Sequence, residues 1–565
     1  MIKLHNGAVV GALSLCAVGG ATYASQAAPK EAKATKDERP NIIYILTDDQ
    51  PYTLLGCTGH PLVQTPNLDK LASEGVLFTN AHVSSAISTP SRTCMLTGRF
   101  ERNHGINFNS GTSLSAEAWE EVYPMVLRRG GYYTGYIGKN HTPVGDKGYK
   151  TGLMDKSFDY WYAGHEHLGF YPKERHKIFK NATADTQVEL LQEGVMDFLS
   201  PNERNLKGAV HFISNLPKDK PFFMNLCFNL PHGNGTQSMK MKPTDPELYR
   251  TGYRDQEIPL PKNYIARKDI VTPKLPADVL HAEDRQFIYD YVDTPNKLKE
   301  LNTREMEAVT GIDQLVGNLM AELKRQKLDK NTVIIFCSDH GIFNGEYGLG
   351  GKSLCYEICT HVPMIIYDPR APKKLRGTPN DELVLSIDIS KTILSYAGVE
   401  VPKSYQGENL IPMLAGEKES VRDWLFTENL WSTHFGNPRC EAVQNKEWKY
   451  IRYYKNENPS ANEKMRNIKA MGLPNNTIYK NNMWDVLSYR CFVEARLVHG
   501  EEPVYEELYN LKDDPFEAIN LIGNNQYAPL VEQLRKECDV QLKYARGEGR
   551  PRVDIVTPDY AVQPK

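Results

Sequence analysis

Past its first two dozen residues the chain has no apolar run near the ~20 residues that a bilayer-spanning helix needs, so most of it is not built to cross a membrane. Its ten cysteines include no Cys-x-x-Cys pair, which sets aside the usual zinc-site spacing. Spread over 565 residues, they are also too sparse for the disulfide lattice of a small secreted domain. Cys337, inside "TVIIFCSD", reads as a buried thiol, and Cys355 and Cys359, four apart, as helix neighbours. An excess of charge is missing too. With 67 Lys and Arg against 70 Asp and Glu, net charge -3, no global field draws the chain to nucleic acid or an anionic membrane, and any anion site must be local. No internal repeat or low-complexity tract is present, which removes solenoids and propellers.

What is there begins with "MIKLHNGAVVGALSLCAVGGATYASQAA": Lys3, an apolar run, then small residues with cleavage points after Ala24 or Ala27. This is the layout of a secretory signal over residues 1–27, followed by a polar tether over 28–39, and it predicts a periplasmic or extracellular protein. Lipid anchoring through Cys16 is the alternative, weakened by Leu15 where a small residue is wanted. The length exceeds what one hydrophobic core usually serves, so two domains are expected.

"PNIIYILTDDQ" is a continuous apolar run ending in two aspartates, the pattern of a central parallel strand with its functional end at Asp48 and Asp49. "TPNLDKLASEGV" supplies Thr65 as cap, Pro66 inside the first turn and Gly75 after the last, so a helix follows. Strand and helix keep alternating through "GYYTGYIGKNH", "PFFMNLCFNLPH", the amphipathic "REMEAVTGIDQLVGNLMAELKRQKL", "NTVIIFCSDHG", "VPMIIYDP" and "LSIDISKTILSYAGV". The prediction is an α/β domain over 40–416, a doubly wound, mostly parallel sheet with helices on both faces. Short aromatic and β-branched runs over 417–565 predict a smaller C-terminal α+β subdomain on an antiparallel sheet.

Ligands in doubly wound sheets gather at the carboxyl ends of the strands. The tips there are Asp48, Asp49, Lys139, His141, His232, Asp339 and His340. Asp-Asp after one strand is by itself no more than a turn. Joined by Asp339 and His340 from another, it makes three carboxylates and an imidazole that need a cation between them, and oxygen donors favour Ca²⁺ or Mg²⁺. Lys139, Lys352 and Arg92 beside that cation would form a positive cup for a tetrahedral oxyanion. His232, after a strand and a stiffening proline, fits a proton donor to a leaving group.

The stretch "STPSRTCMLTGR", Ser88 to Arg99, sits where a plain turn is expected after an apolar strand. It is similar to the signature of the type I, formylglycine-dependent sulfatases of the alkaline phosphatase superfamily: Cys or Ser, x, Pro, Ser, Arg, three variable residues, Leu-Thr-Gly-Arg. Other blocks, "TPNLDKLASEGVLFTNAHV", "VIIFCSDHG", "GKSLCYEICTHVP" and "ELYNLKDDPFEAINL", resemble the family's in order. The resemblance implies an alkaline phosphatase-like fold and sulfate ester hydrolysis through a formylglycine made from Ser88. A serine there implies a radical-type sulfatase-maturing enzyme acting before export. Carried over, the resemblance implies one Ca²⁺ on Asp48, Asp49, Asp339 and His340, sulfate neutralisation by Lys139 and Lys352, and Arg92 steadying the hydrated aldehyde. His232 would protonate the departing sugar oxygen and His141 would take a proton in the second half of the cycle. Three positions depart from the family: Asn140 replaces a common tryptophan, His340 stands where asparagine is frequent, and His361 where arginine is frequent.

For substrate, the resemblance implies a sulfated saccharide such as a host mucin glycan or glycosaminoglycan fragment, attacked in exo fashion. Candidate sugar contacts are His165 and His167 in "WYAGHEHLGFYPK", Glu346 in "FNGEYGLGGK", and Trp431, His434 and Arg439 in "ENLWSTHFGNPR". For His165, His167, Trp431, His434 and Arg439, packing of a domain interface is at least as good a reading, while Glu346 lies close enough in sequence to Lys352 to meet a sugar hydroxyl. Two other functions stay open at this point: a phosphomonoesterase or phosphodiesterase of the same superfamily, and a non-catalytic binder of sulfated glycans.

Overall fold

The computed structural model describes residues 39–106, 112–146, 148–165, 208–232, 247–276, 279, 289–430, 438–455, 495–548 and 553–555. Residues 1–38, including Cys16, and the positions His167, Trp431 and His434 lie outside them. Eight strands form the larger sheet: β1 (Asn41–Asp48), β2 (Val76–His82), β3 (Tyr133–Asn140), β4 (Tyr160–His165), β5 (Phe222–Pro231), β6 (Thr332–Ser338), β7 (Met364–Tyr367) and β8 (Asn380–Leu385). Their order is β8-β2-β7-β6-β1-β5-β3-β4, and every neighbouring pair is parallel except those made by β7.

β1 lies near the middle of the sheet and all eight of its residues are buried. Alternation sends Ile42, Tyr44 and Leu46 into one apolar cluster and Ile43 and Ile45 into another, because successive side chains of a strand face opposite ways. Helices cover both faces, as a parallel sheet requires. α1 (Pro66–Glu74) and the 31-residue α4 (Pro295–Arg325) pack on the second cluster, while α2 (Ser88–Thr97) joins the first through Met95 and Leu96. α4 begins nine residues before the apolar period becomes visible at Arg304. Thr294 caps it by accepting the Lys297 N–H at 3.3 Å, with Pro295 in its first turn.

A second, antiparallel sheet has the order β9 (Leu425–Asn429), β10 (Cys440–Gln444), β11 (Trp448–Tyr453), β12 (Tyr505–Asn510). α5 (Ala528–Arg546) lays Leu534, Cys538 and Leu542 against Phe426, Val443 and Tyr450, and the opposite face buries Ala442, Ile451 and Tyr509 in the same apolar cluster as Ile42, Tyr44 and Leu46 of the larger sheet. α3 (Glu101–His104) crosses the seam: Arg102, fully buried, donates from Nε to Glu428 at 2.9 Å and pairs with Glu441.

Candidate active site at the strand ends

The signature stretch is a helix, not a turn. α2 begins at Ser88 and every one of its ten residues is buried. Pro90 is tolerated because it falls in the first turn, where no N–H is needed by the helix. Gly98 ends the helix in the left-handed region, φ 65°. A Cβ there would lie 2.5 Å from the Tyr405 ring, so both conformation and space call for glycine.

Asp48 closes β1, and alternation alone would aim Asp49 at the opposite face. The backbone turns left-handed at Asp49, φ 64°, and the pairing with β5 slips between Leu46 and Asp48. The Asp49 N–H, so turned, donates to Asp339 Oδ1 at 3.1 Å. Both consecutive carboxylates therefore serve one site. Lys139 is the penultimate residue of β3, and the preceding Gly138 has φ 97° with a virtual Cβ only 2.0 Å from the Cys227 carbonyl oxygen. His141 follows β3, His232 follows β5, Asp339 and His340 follow β6, and Lys352 follows the short strand Gly350–Gly351.

The structure brings most of these side chains together in a buried cluster. The Ser88 hydroxyl is 3.2 Å from Asp48 Oδ1 and 3.0 Å from His340 Nε2. Lys139 donates to Asp48 Oδ2, Lys352 donates to Asp49 Oδ1 at 2.6 Å, and Arg92 donates from Nε to Asp339 Oδ2 at 2.8 Å. His232 Nε2 lies 3.7 Å from Asp49 Oδ2. His141 is buried at the same end of the sheet.

Charge and burial compete here. Burial pushes the Asp48 carboxyl up, but Lys139 and Arg92 outweigh it and hold it well below the usual carboxylate range. Burial raises Asp339, with Asp48 adding to the rise. Lys352 loses hydration, yet Asp49 and Asp48 carry it above the ordinary lysine value. Burial wins at Lys139 and lowers it, and burial drives His232 well below the ordinary histidine range.

Asp48, Asp49, Asp339 and His340 form a donor set whose ligand atoms lie within 4.8 Å of one another. His340 decides whether this set suits a cation. Its Nδ1 is 3.0 Å from the Gly341 carbonyl oxygen, an acceptor only, so Nδ1 carries the proton and Nε2 presents a lone pair. That lone pair faces Asp49 Oδ1 at 3.4 Å and Asp339 Oδ1 at 3.6 Å. Lone pair and carboxylates crowd together as they would around a metal ion, so the donors fit one. A second candidate group, His82, Glu357 and His361, does not fit. Its imidazoles are stacked at 4.7 Å and 11° from parallel, so one ion cannot lie in both ring planes, and Lys449 Nζ already holds Glu357 at 2.9 Å.

Comparison with known proteins decides the family. The sulfatase family model matches residues 40–399, and the model for the C-terminal part of N-sulphoglucosamine sulphohydrolase matches 345–484. The chain belongs to the sulfatase family. It is a sulfuric ester hydrolase with a mostly parallel α/β fold. An N-acetylglucosamine-6-O-sulfatase of Bacteroides thetaiotaomicron is 26% identical over 552 residues, covering 89% of this chain and 86% of that one. A solved structure of a protein in complex with its substrate D-glucosamine-2-N,6-O-disulfate superposes with TM-score 0.63 at 22% identity, covering 90% of this sulfatase and 98% of that chain. The phosphonate monoester hydrolase of Agrobacterium radiobacter shares the fold, TM-score 0.61 at 21% identity, over 89% and 96% of the two chains.

The candidate sugar contacts of this sulfatase are scattered. Glu346 is buried at 8% exposure, accepts the Asn344 N–H at 2.6 Å, and lines a cleft of about 600 Å³ with Tyr52, Lys262, Tyr347 and Phe516. Arg439 is buried in the second sheet, where its two outer nitrogens pair with Glu501 and its guanidinium rests 5.2 Å from the Tyr454 ring centre. That engagement makes it a brace of the sheet. His165 ends β4, with its side chain outside the described residues.

Two braces were not visible as such in the sequence. The Ser91 hydroxyl donates to the Asp339 carbonyl at 2.5 Å, and Ser338 Oγ accepts the Gln50 N–H at 3.0 Å while donating to the His340 carbonyl at 3.0 Å. Each fixes an acidic loop against its neighbour. Serine is too common beside turns to announce such a role. Among the described residues no helix is long and apolar enough to cross a membrane.

Proposed function

We propose that this chain is an exported carbohydrate sulfatase in which residue 88, matured from serine to formylglycine by a radical-type enzyme, is the nucleophile. We assign catalysis to residues 40–416 and a supporting, substrate-edge role to 417–565. The observation that carries the reading is the convergence of Ser88, three carboxylates, His340, Lys139 and Lys352 at the N-terminus of α2.

An unmodified serine hydroxyl is a weak nucleophile, and a hydrated aldehyde at this position supplies a better one together with a second hydroxyl for turnover. A Ca²⁺ ion held by Asp48, Asp49, Asp339 and His340 would supply Lewis-acid polarisation of a sulfate oxygen. The remaining work falls to the chain's own side chains. Lys139 and Lys352 bind and neutralise the sulfate oxygens. Arg92 orients residue 88, and support for this is that its two outer nitrogens have no hydrogen-bond partner among the described residues. The positive end of the ten-residue helix α2 favours an anion at residue 88.

His232 holds the proton for the departing sugar oxygen. Burial leaves its imidazole neutral, and the arrival of an anionic ester beside it raises its proton affinity. His141 accepts the proton released at residue 88 in the second half of the cycle. The match to an N-acetylglucosamine-6-O-sulfatase over 89% of this chain favours a sulfated hexosamine or galactose at the end of a mucin or glycosaminoglycan fragment. The test is sulfate release from a panel of singly sulfated mono- and disaccharides. Release from at least one terminal sugar is expected. No release from any member, with hydrolysis of phosphate or phosphonate esters instead, would reject the reading.

A further inference from the structure

Two buried thiols meet where the catalytic domain packs on the second sheet. Cys355 lies three residues after Lys352, and Cys440 opens β10. Their sulfurs are 3.5 Å apart, although 85 positions separate them in the chain. Cys355 is 1% exposed and Cys440 is not exposed at all. Cys355 Sγ also lies 3.7 Å from the Thr427 carbonyl oxygen on β9, which holds it against the second sheet. A disulfide has its sulfurs about 2.05 Å apart, so closure needs the two atoms to approach by about 1.5 Å, the scale of modest side-chain rotation. Both residues sit in the core that joins the two sheets, so no solvent or polar group has to be displaced between them.

We propose that Cys355 and Cys440 are a modification site, oxidised to a disulfide that staples the Lys352 segment to the second sheet. The co-reactant is a disulfide, either a small molecule such as oxidised glutathione or an oxidised dithiol protein. Each thiol gives up its proton, the Cys355–Cys440 S–S bond forms, and the two electrons reduce the co-reactant's S–S bond to two thiols. Neither sulfur is reachable in the closed fold, and burial raises the Cys355 thiol well above its ordinary value. Exchange therefore proceeds while the seam is open, and the closed bridge resists reduction for the same reason. The 85-residue loop it closes restricts the unfolded chain, which is the larger part of a disulfide's effect in the chain-entropy account. The inference stands apart from the chemistry at residue 88.

The full-length folded chain is equilibrated in glutathione buffers of increasing oxidised fraction, with urea below the unfolding transition to open the seam, then alkylated and digested without reduction. The expected product is a cross-linked peptide pair containing Cys355 and Cys440, lighter by two hydrogens than the separate peptides, with Tm raised by about 4 °C over the reduced form. The Cys359→Ser variant distinguishes the neighbouring thiol and retains the cross-link. Cys440→Ser loses both the cross-link and the redox dependence of Tm. Complete alkylation of both thiols at every ratio would overturn the proposal, as would a link that survives in Cys355→Ser through Cys359. Should Cys355→Ser not fold, fragment ions from the wild-type pair locate the bridged cysteine directly.

Discussion

The Ser88 hydroxyl stands 3.0 Å from His340 Nε2, a contact between residues 252 positions apart. It joins the start of a helix to the end of a neighbouring strand, and it places the residue proposed to react against the group proposed to hold a cation. Ser88→Ala removes that hydroxyl with little loss of volume. Sulfate release should fall by at least about 10⁴-fold, as for other nucleophile deletions, while Tm stays within about 2 °C of wild type. Calorimetry and free-sulfate assay on the same preparation check both halves.

Cation binding to the donor set should stabilise the folded chain. At one hundred times its dissociation constant the ion contributes about 2.7 kcal/mol. Chelation should lower Tm and abolish sulfate release, and added Ca²⁺ should restore both. Asp49→Asn removes charge from the set and leaves Lys352 a neutral amide oxygen in place of a carboxylate. Its calcium titration, followed by Tm, should move to higher concentration.

Lys352→Met keeps the length of the side chain and deletes the charge. The expected effect is a fall in kcat/KM of about 10²- to 10³-fold, the range for losing one donor to a developing oxyanion. Steady-state kinetics on the sugar identified by the panel measures it. An effect on KM alone would mean that the charge binds substrate and transition state equally.

Arg102 tests the seam between the sheets. Arg102→Leu would leave Glu428 buried without its cation, while Glu441 keeps Arg452. Removing one member of such a group costs about 3–5 kcal/mol. Urea unfolding should show the midpoint shifted down with little change in slope.

Stability should also fall with rising pH because of Glu346. Burial lifts its carboxyl from 4.5 to about 7. The folded form therefore binds the proton more tightly than the unfolded chain, and stability is lost as pH rises from about 4.5 to about 7, by an amount of order 1–3 kcal/mol. Glu346→Gln keeps an acceptor for the Asn344 N–H. Its Tm should match wild type near pH 4.5 and exceed it at pH 8.

Much of this was legible in the chain. Apolar runs ending in Asp48–Asp49, in Lys139 and in Asp339–His340 mark strands and their functional tips, because a buried parallel strand is apolar until it reaches the site. α2 was not legible: its ten buried residues are mostly polar, and they stay buried because partners such as the Asp339 side chain and backbone satisfy Arg92 and Ser91. The first turns of α4 were hidden for another reason. Residues 295–303 carry Leu298 and Leu301 as their buried apolar positions, too few to show a period. Arg439 illustrates the limit for sugar contacts, since a lone arginine beside aromatics reads alike whether it meets a saccharide or Glu501.

The central claim is that residue 88 performs the chemistry as an oxidised side chain. The most direct measurement is the mass of the peptide carrying residue 88 in preparations of graded specific activity. The account predicts a species about two hydrogens lighter than the encoded serine peptide, its fraction rising in proportion to sulfate release. Full activity in a preparation where that peptide is entirely unmodified serine would contradict it.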